Sequence, residues 1–598
     1  MENKQNLDRI IKLTKLDSQA NWSRALPYIF GTLPFVNPFL ALGAGLVGGA
    51  ISSFKRNEIS VSDEDYDFDN VYEESFEIED ASVSKSTYFG QSTPYRRWRE
   101  DIEEAGGSDI SPERYRDIAS TLYPKMRPYG LPNDLLTRHV CFLAQTGSGK
   151  TEFFMSILSQ QIKKGGGVII VEAKSDSDFA GSAYRMCEEA DRLDDLSIIN
   201  LEHPEISHSW NPLHNGGVRQ QISMLKAIQG SSSEEFWEDV ARFATTAAIL
   251  SLALQPGNPS YHIRDLIPVL SDFQVLKQLV KTIREEDSKD HLEGKRFLAT
   301  YLNHWYIKEK EAFDEAKYKN LLLGTISKLN AYSHSEYVDI VNTYNPDVDI
   351  KKTILEGKIV ILSMSALADK DGAELLGRLF IADIARAVGE IQQEKSKPLV
   401  PCPVLLDEYG SFKDATQINL FQLARSANVP MIIAMQGKGF LEAGKDKAFA
   451  ENVMGNCWHH IYSDVRDTNT RDFACTMAGS LVYRLNQESV GESSGESKSS
   501  DSTGVTTDDS QSRSFSTGFK ESRDNLLRHE DFASLDKGDA LIVGKSGVHR
   551  LRLPLMKMNK PPAEWSEMIL VKHPKKGRPG IGLFDKYADR CIALIEDL

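Results

Sequence analysis

Short apolar runs alternate with stretches of helical periodicity along much of the chain. The run at 168–171 is continuous and entirely β-branched, which is typical of a parallel strand buried on both faces. Strands that alternate with helices at this spacing predict an α/β fold with a doubly wound sheet. The runs lie at 140–143, 168–171, 196–201, 359–363, 404–406 and 431–435.

A long segment between these strands has a different pattern. From 216 to 345 the periodicity is helical nearly throughout, and strand-like runs are scarce. Gly216-Gly217 at one end and Asn345-Pro346 at the other are typical boundary residues. We therefore predict an all-helical domain inserted between two parts of the sheet.

An uncharged run at 25–54 lies close to the start of the chain. It is long enough to cross a membrane, since a spanning helix needs about 20 apolar residues. Prolines in its first half and basic residues at both ends favour a short re-entrant hairpin that turns near Asn37. The alternative is a buried Gly-rich hairpin in a protein core. We expect residues 1–57 to be membrane-associated.

Composition and charge add two further segments. The chain has 598 residues and a net charge of −16, so no global basic field indicates nucleic acid. Residues 58–80 are strongly acidic without any Lys or Arg, which predicts a disordered linker over 58–87. Residues 487–522 are rich in Ser, Gly, Thr and Asp, and we predict a disordered loop there. The six cysteines are scattered without a CxxC pair, which argues against a disulfide framework or a zinc site.

The first chemical motif follows the run at 140–143. A small-residue loop ending in Lys150-Thr151 connects this predicted strand to a predicted helix, which is the context of a phosphate-binding P-loop. Backbone N–H groups of such a loop and the helix N-terminus bind phosphates, Lys150 reaches the β- and γ-phosphates, and the Thr151 hydroxyl holds Mg²⁺. A chance Gly-Ser turn is the alternative. The expected ATP-binding residues are Ala144, Gln145, Thr146, Gly147, Ser148, Gly149, Lys150 and Thr151.

A second motif ends the run at 404–406. Asp407 and Glu408 come directly after this predicted strand, as in the second half of a P-loop NTPase site. Asp407 would hold Mg²⁺ through water, and Glu408 would orient or deprotonate the attacking water. An apolar run followed by two acids is a weak pattern alone, but it gains weight beside a P-loop in the same sheet.

Two more polar residues are candidates. Gln436 follows the run at 431–435 and could sense the γ-phosphate, or it could simply cap a loop. Arg425 lies in the predicted helix 417–427. It is either an arginine finger that reaches the nucleotide of a neighbouring subunit or an arginine on a solvated helix face.

Together these motifs resemble the TraD/TraG-like coupling proteins of type IV secretion and conjugation systems, a branch of the FtsK–HerA ring ATPases. The resemblance extends over about residues 88–556. Glu172 stands where the family commonly has Asp, and only one uncharged run is present where the family usually has two transmembrane helices. The pieces that carry the resemblance are Phe89-Gly90, the P-loop, 171–174, 211–213, 406–410, 424–426, 434–436, 455–457 and 537–542.

The resemblance implies a RecA/FtsK-like P-loop core and a homo-hexameric ring at the bacterial inner membrane with a cytoplasmic ATPase domain. It also implies that ATP and Mg²⁺ drive transport of DNA without sequence preference, or of a relaxase or effector protein, toward secretion-channel proteins. The alternatives are a membrane-bound protein-cargo receptor that uses nucleotide as a switch and a HerA-like DNA translocase. The expected division is 1–57 membrane segment, 58–87 linker, 88–215 first part of the ATPase core, 216–345 helical domain, 346–486 second part of the core, 487–522 loop, 523–557 closing strands and 558–598 tail.

Overall fold

The computed structural model describes most of the chain after residue 84. The predicted membrane-associated segment 1–57, and the linker 58–87 except for its last residues, lie outside the described part. Within the described part, no helix combines the length and apolar character needed to cross a membrane. The described residues are 85–94, 127–175, 177–229, 235–286, 288–330, 338–365, 370–442, 447–501, 504–533, 535, 537–545, 547–556, 558–572 and 578–596.

The strands form one large mixed sheet and two separate hairpins. The 11-stranded sheet has the order β2-β1-β15-β14-β11-β3-β10-β9-β4-β8-β5. In chain order the strands are β1 Ser86–Pro94, β2 Arg127–Pro132, β3 Val140–Ala144, β4 Val168–Glu172, β5 Leu196–Asn200, β6 Tyr306–Ile307, β7 Ala312–Phe313, β8 Ile359–Ser363, β9 Val404–Leu406, β10 Met431–Met435, β11 His459–Ser463, β12 Ser480–Asp501, β13 Gly504–Asn525, β14 Asp539–Gly544 and β15 Gly547–Arg552.

The α-helices lie between and after these strands. Short 3₁₀ turns occur as well, among them Ala424–Ala427. The helices are α1 Asn133–Leu136, α2 Lys150–Lys163, α3 Ser177–Glu189, α4 Val218–Gln229, α5 Glu235–Ala253, α6 Ile263–Ser271, α7 Phe273–Lys281, α8 Lys289–His304, α9 Glu315–Asn330, α10 Val338–Val341, α11 Ile350–Glu356, α12 Lys370–Gln393, α13 Ile418–Leu423, α14 Gly439–Glu442, α15 Lys447–Asn456, α16 Thr468–Ala478, α17 His529–Ala533 and α18 Leu583–Glu596.

The predicted α/β class is confirmed, and the sheet combines parallel and antiparallel parts. From β11 to β5 the neighbouring strands run parallel, and every residue of β3, β4, β8 and β10 is buried. This burial explains their mainly apolar sequences, because parallel strands are covered on both faces. β14 pairs antiparallel with β11, and the hairpin β14–β15 leads on to β1 and β2.

The region between β5 and β8 is mainly helical and holds α4 to α11. Within the segment 216–345, which we predicted to be all-helical, β6 and β7 instead pair in a small hairpin. Glu311 has a φ of 46°, which closes this turn, and Asp314 then starts α9 by accepting a bond from the Lys317 N–H. The expectation of an all-helical segment is therefore wrong at this point, because turn chemistry outweighs the local periodicity.

The Ser-rich segment also differs from its prediction. Residues 487–522 were expected to be a disordered loop. Of these, 487–501 and 504–522 belong to the long antiparallel hairpin of β12 and β13, whose register runs from Ser480↔Asn525 to Asp501↔Gly504 without a bulge. Pairing satisfies the backbone N–H and C=O groups that face the partner strand, and this polar sequence forms strands without an apolar run. Among the described residues, Pro94, 466–501 and 504–533 belong to one of two compact units, and the others belong to the second.

The last part of the chain is ordered against the helical region. The peptide of Ser260 pairs with the residues on either side of Gly580, and α18 then packs on α6. The buried carboxylate of Asp265 accepts bonds from the N–H groups of Leu583 and Phe584, the first residues of α18. An anion at these N–H groups satisfies donors that have no partner within the helix. The segment predicted only as a tail is thus partly a docked helix.

Candidate functional site

The P-loop connects β3 to α2 at the carboxyl edge of the parallel strands. Gly147 and Gly149 have φ values of 84° and 96°, a region that favours glycine. The Ser148 hydroxyl donates to the carbonyl of Gln145 at 2.6 Å and closes the turn. Thr146 lies exposed at the tip, and Gly149 is the residue from which α2 begins. The sequence thus builds a glycine-containing loop that leads directly into the N-terminus of a helix, and this is the arrangement that binds phosphate.

Lys150 is the first residue of α2, and its side chain is only 4% exposed. Its ammonium donates to the carbonyl of Ala144 at 2.7 Å and lies 3.6 Å from Glu408 Oε1. Burial lowers the pKa of Lys150, and the carboxylates of Glu408 and Asp407 oppose this shift. A buried cation beside an N–H-rich loop is therefore held near the expected position of the phosphates.

Asp407 and Glu408 follow β9, which lies two strands from β3. The N–H of Asp407 donates to the carbonyl of Val171 at 2.9 Å, which extends the pairing with β4 and holds this carboxylate in place. Glu408 has a φ of 49°, a conformation that non-glycine residues seldom adopt. Backbone strain of this kind is often found at functional sites. The chain turns sharply here, and the Glu408 carboxylate faces Lys150.

Gln436 follows β10, the strand between β3 and β9. Its side-chain amide lies 3.5 Å from Glu408 Oε1, at the outer limit of a hydrogen bond. The structure thus brings Lys150, Glu408 and Gln436 together from three neighbouring strands. Their roles in turnover stay predictions.

Two polar residues at the end of β4 were not among the predicted site residues. Lys174 donates to Asp407 Oδ2 at 3.1 Å and lies 3.9 Å from Glu408 Oε1. Burial lowers the pKa of Lys174, but the acids Asp407 and Glu408 outweigh it and raise the pKa overall. Glu172 is buried and accepts bonds from the Ser363 hydroxyl and the Lys174 N–H. The sequence indicated a role for these two residues only through their position at the carboxyl end of a buried strand.

A pocket lies between α2, β4 and Asp407. Its polar lining residues are Thr151, Glu172, Lys174 and Asp407, and Phe154, Ile170 and Phe179 complete the wall. A hydroxyl and a carboxylate are the oxygen ligands that Mg²⁺ prefers. A Cβ at Gly147 would meet nothing within 4 Å, so the space above the loop is open. The residues present therefore fit a magnesium–nucleotide complex, with Thr151 and Asp407 on the metal side.

Arg425 lies away from this group. It is exposed in the 3₁₀ turn Ala424–Ala427, which precedes β10, whereas the P-loop follows β3. Because β3 and β10 run parallel, these positions are at opposite edges of the sheet, and a strand of five residues separates them by about 16 Å. The structure therefore does not bring Arg425 to the nucleotide site of its own chain.

Two family models match the chain. Residues 129–384 match the central domain of helicase HerA, and residues 401–537 match the TraM recognition site of TraD and TraG. These matches confirm the resemblance to the TraD/TraG-like proteins.

The type 4 coupling protein DotL of Legionella pneumophila is 25% identical over 478 residues. The alignment covers 70% of this chain but only 58% of DotL. Solved structures of the bacterial conjugative coupling protein TrwB are also similar. One unbound form has a TM-score of 0.49 at 13% identity and covers 72% of this chain and 89% of TrwB. TrwB in complex with ADP and Mg²⁺ has a TM-score of 0.46 at 14% identity, with 72% and 89% covered.

Proposed function

We propose that this chain, which is related to the TraD/TraG-like type IV coupling proteins and has a HerA-type central domain, hydrolyses ATP to move cargo into a secretion or conjugation channel. One observation carries the proposal. The P-loop lysine, the Asp407–Glu408 pair and Gln436 meet at one edge of the sheet, with Lys150 3.6 Å and Gln436 3.5 Å from the same oxygen of Glu408.

The proposed chemistry follows from these positions. The N–H groups of the loop and the ammonium of Lys150 bind and orient the phosphates of ATP. Thr151 and Asp407 would hold Mg²⁺, which, when bound, neutralises charge on the phosphates. Glu408 Oε1 accepts a proton from the attacking water, and the Gln436 amide holds that water or the carboxylate in position. Catalysis of this kind rests mainly on positioning and on charge stabilisation.

A ring of subunits, a hexamer by resemblance, is part of the proposal. Arg425 is exposed. It lies at the opposite sheet edge from the P-loop of its own chain, so it could stabilise phosphate charge only at the site of another subunit. Arginine fingers supplied by a neighbour have this effect in other NTPases. The separation of the two edges thus favours action in trans over action in cis.

The cargo and the location belong to the same proposal. DNA would be gripped by its backbone without sequence preference, and a relaxase or effector protein is the alternative cargo. The uncharged run at 25–54 supports attachment to the bacterial inner membrane, with the ATPase part in the cytoplasm. Secretion-channel proteins are the expected partners at the membrane.

Steady-state ATP hydrolysis tests the proposed activity. The full chain should turn over ATP only with Mg²⁺, and Lys150→Ala should reduce turnover to background with an unchanged circular dichroism spectrum. Lys358→Gln is a suitable control, because Lys358 precedes β8 at the opposite edge of the sheet. Wild-type turnover in the Lys150→Ala variant would contradict the assignment.

A second candidate is a protein-cargo receptor in which nucleotide acts as a switch. It is favoured by the match of residues 401–537 to a segment described as the TraM recognition site in TraD and TraG. DNA should stimulate hydrolysis in a salt-dependent way if the chain is a DNA pump. If DNA has no effect and a purified protein cargo stimulates hydrolysis, the receptor function is preferred.

A further inference from the structure

Two lysines share the acid pair at the site, and their surroundings differ. Lys150 is 4% exposed, and both the Ala144 carbonyl and Glu408 hold it. Lys174 is 39% exposed and lies against Asp407 and, more loosely, Glu408. Long side chains that keep this much contact with solvent rearrange at small cost, whereas a buried cation does not. Of the two lysines, Lys174 is therefore the one that can leave the acids.

The backbone under Lys174 is fixed. Its N–H donates to Glu172 Oε1 at 2.9 Å, and the residue forms an isolated antiparallel bridge with Ser365. Glu172 itself is held by the Ser363 hydroxyl at 3.0 Å. Only the side chain of Lys174 is free to move, so its departure would expose Asp407 without unfolding the end of β4.

The ammonium of Lys174 lies where Mg²⁺ is expected to bind. Lys174 donates to Asp407 Oδ2 at 3.1 Å, and Thr151 lines the same pocket. Asp407 and Thr151 are the residues that fit Mg²⁺. A divalent ion and an ammonium at one carboxylate repel each other, and the carboxylate cannot satisfy both fully. Binding of the metal at Asp407 therefore competes with Lys174 for this carboxylate.

We propose that Lys174 is a positioning residue, a built-in counter-cation of the Asp407–Glu408 pair that Mg²⁺ must displace, and that it thereby sets the Mg²⁺ concentration at which nucleotide binds. The inference rests on the proposed function, since it presumes that ADP or ATP occupies the P-loop. When Mg²⁺ is scarce, Lys174 together with Lys150 keeps the two acids neutralised. When Mg²⁺ binds with nucleotide, the side chain turns toward solvent.

The test is the Mg²⁺ dependence of nucleotide binding, measured with the full chain and a fluorescent ADP analogue without turnover. Lys174→Gln removes the competitor but keeps the length of the side chain. We expect its half-saturating Mg²⁺ concentration to fall about three- to tenfold, as the loss of one charged hydrogen bond at a partly exposed site implies. Without Mg²⁺ the melting temperature of the variant should fall by a few degrees, because two neighbouring acids lose their counter-ion.

Two variants control the measurement. Lys174→Arg keeps the charge and should keep the wild-type Mg²⁺ dependence. Lys358 is 38% exposed, nearly the same as Lys174 at 39%, and it pairs with Glu356 at 3.5 Å. Lys358→Gln should therefore change neither the half-saturating Mg²⁺ concentration nor the melting temperature.

The outcomes separate this inference from the proposed function. If wild type binds the analogue but Lys174→Gln needs the same or more Mg²⁺, the displacement idea is wrong. If the variant loses affinity equally with and without Mg²⁺, Lys174 contacts phosphate instead, which also overturns it. If wild type binds no nucleotide at any Mg²⁺ concentration, the proposed function itself fails.

Discussion

Replacement of Glu408 by Gln should separate nucleotide binding from hydrolysis. Glu408 lies 3.6 Å from the buried ammonium of Lys150 and 3.9 Å from the partly exposed ammonium of Lys174. A bound γ-phosphate must compete with this carboxylate for Lys150, and the two negative charges repel. The amide in Glu408→Gln keeps the shape of the side chain but removes both effects and cannot accept a proton from water.

The magnitude follows from the geometry. Lys150 and Glu408 carry unit charges 3.6 Å apart. At an effective dielectric constant of about 20, their attraction has an energy of about 5 kcal/mol before solvent compensation. Since Glu408 is 16% exposed, a net effect of about 1–2 kcal/mol is realistic, which is about 5- to 30-fold in affinity. Loss of a general base lowers turnover by about 10²–10⁴-fold. We expect tighter ATP binding together with hydrolysis near background.

Equilibrium binding of an ATP analogue and steady-state hydrolysis, measured side by side, provide the assay. Glu390→Gln is the matched control, because Glu390 is 18% exposed, pairs with Lys351 and Arg386, and lies near the end of α12. It should leave both quantities within about twofold of wild type. Substantial hydrolysis by Glu408→Gln, or weaker binding, would refute the role given to this carboxylate.

Three further predictions follow from the structure. Arg425→Ala should lower turnover at least about tenfold and leave nucleotide affinity unchanged. If the arginine acts in trans, mixing Arg425→Ala subunits with Lys150→Ala subunits should restore part of the activity. No restoration would contradict action in trans. His139 bonds to Phe421 O at 2.7 Å and accepts from the Met431 N–H, so His139→Ala should cost about 2–4 kcal/mol in urea unfolding at pH 7.5. Burial lowers the pKa of His139 to about 4, so this stability is present above pH 6.5 and lost as the pH falls toward 4; a gap between variant and wild type that does not narrow on acidification would contradict the account. Asp265→Ala should release α18 and make it cleavable by trypsin at least about tenfold faster, and equal cleavage would show that this carboxylate does not dock the helix.

The central part of the site follows from elementary rules about parallel strands. Asp407, Glu408 and Gln436 come directly after apolar runs, and Lys150 ends the short loop that follows another. Parallel strands place their carboxyl ends at one edge of the sheet. Arg425 precedes its strand, and the same rule puts it at the other edge. The sequence order alone therefore indicates which residues meet within one chain.

Other features depend on information that periodicity does not carry. The partner of Lys174 is set by the order of strands, since β9 lies beside β4 although a long helical region separates them along the chain. The hairpin of β12 and β13 forms from a polar sequence through backbone pairing, whereas our prediction weighed only the burial of apolar surface. The docking of α18 needs a buried carboxylate from a distant helix, and the sequence around Leu583 gives no indication of it.

The most direct test of the central claim is ATP hydrolysis by the full chain across a range of protein concentrations, with and without DNA and at several salt concentrations. A ring-forming DNA pump predicts specific activity that rises cooperatively with protein concentration and stimulation by DNA that declines as salt increases. Specific activity that is independent of protein concentration and of DNA would contradict the account of a ring-forming DNA motor, and no Mg²⁺-dependent hydrolysis under any condition would contradict the site itself.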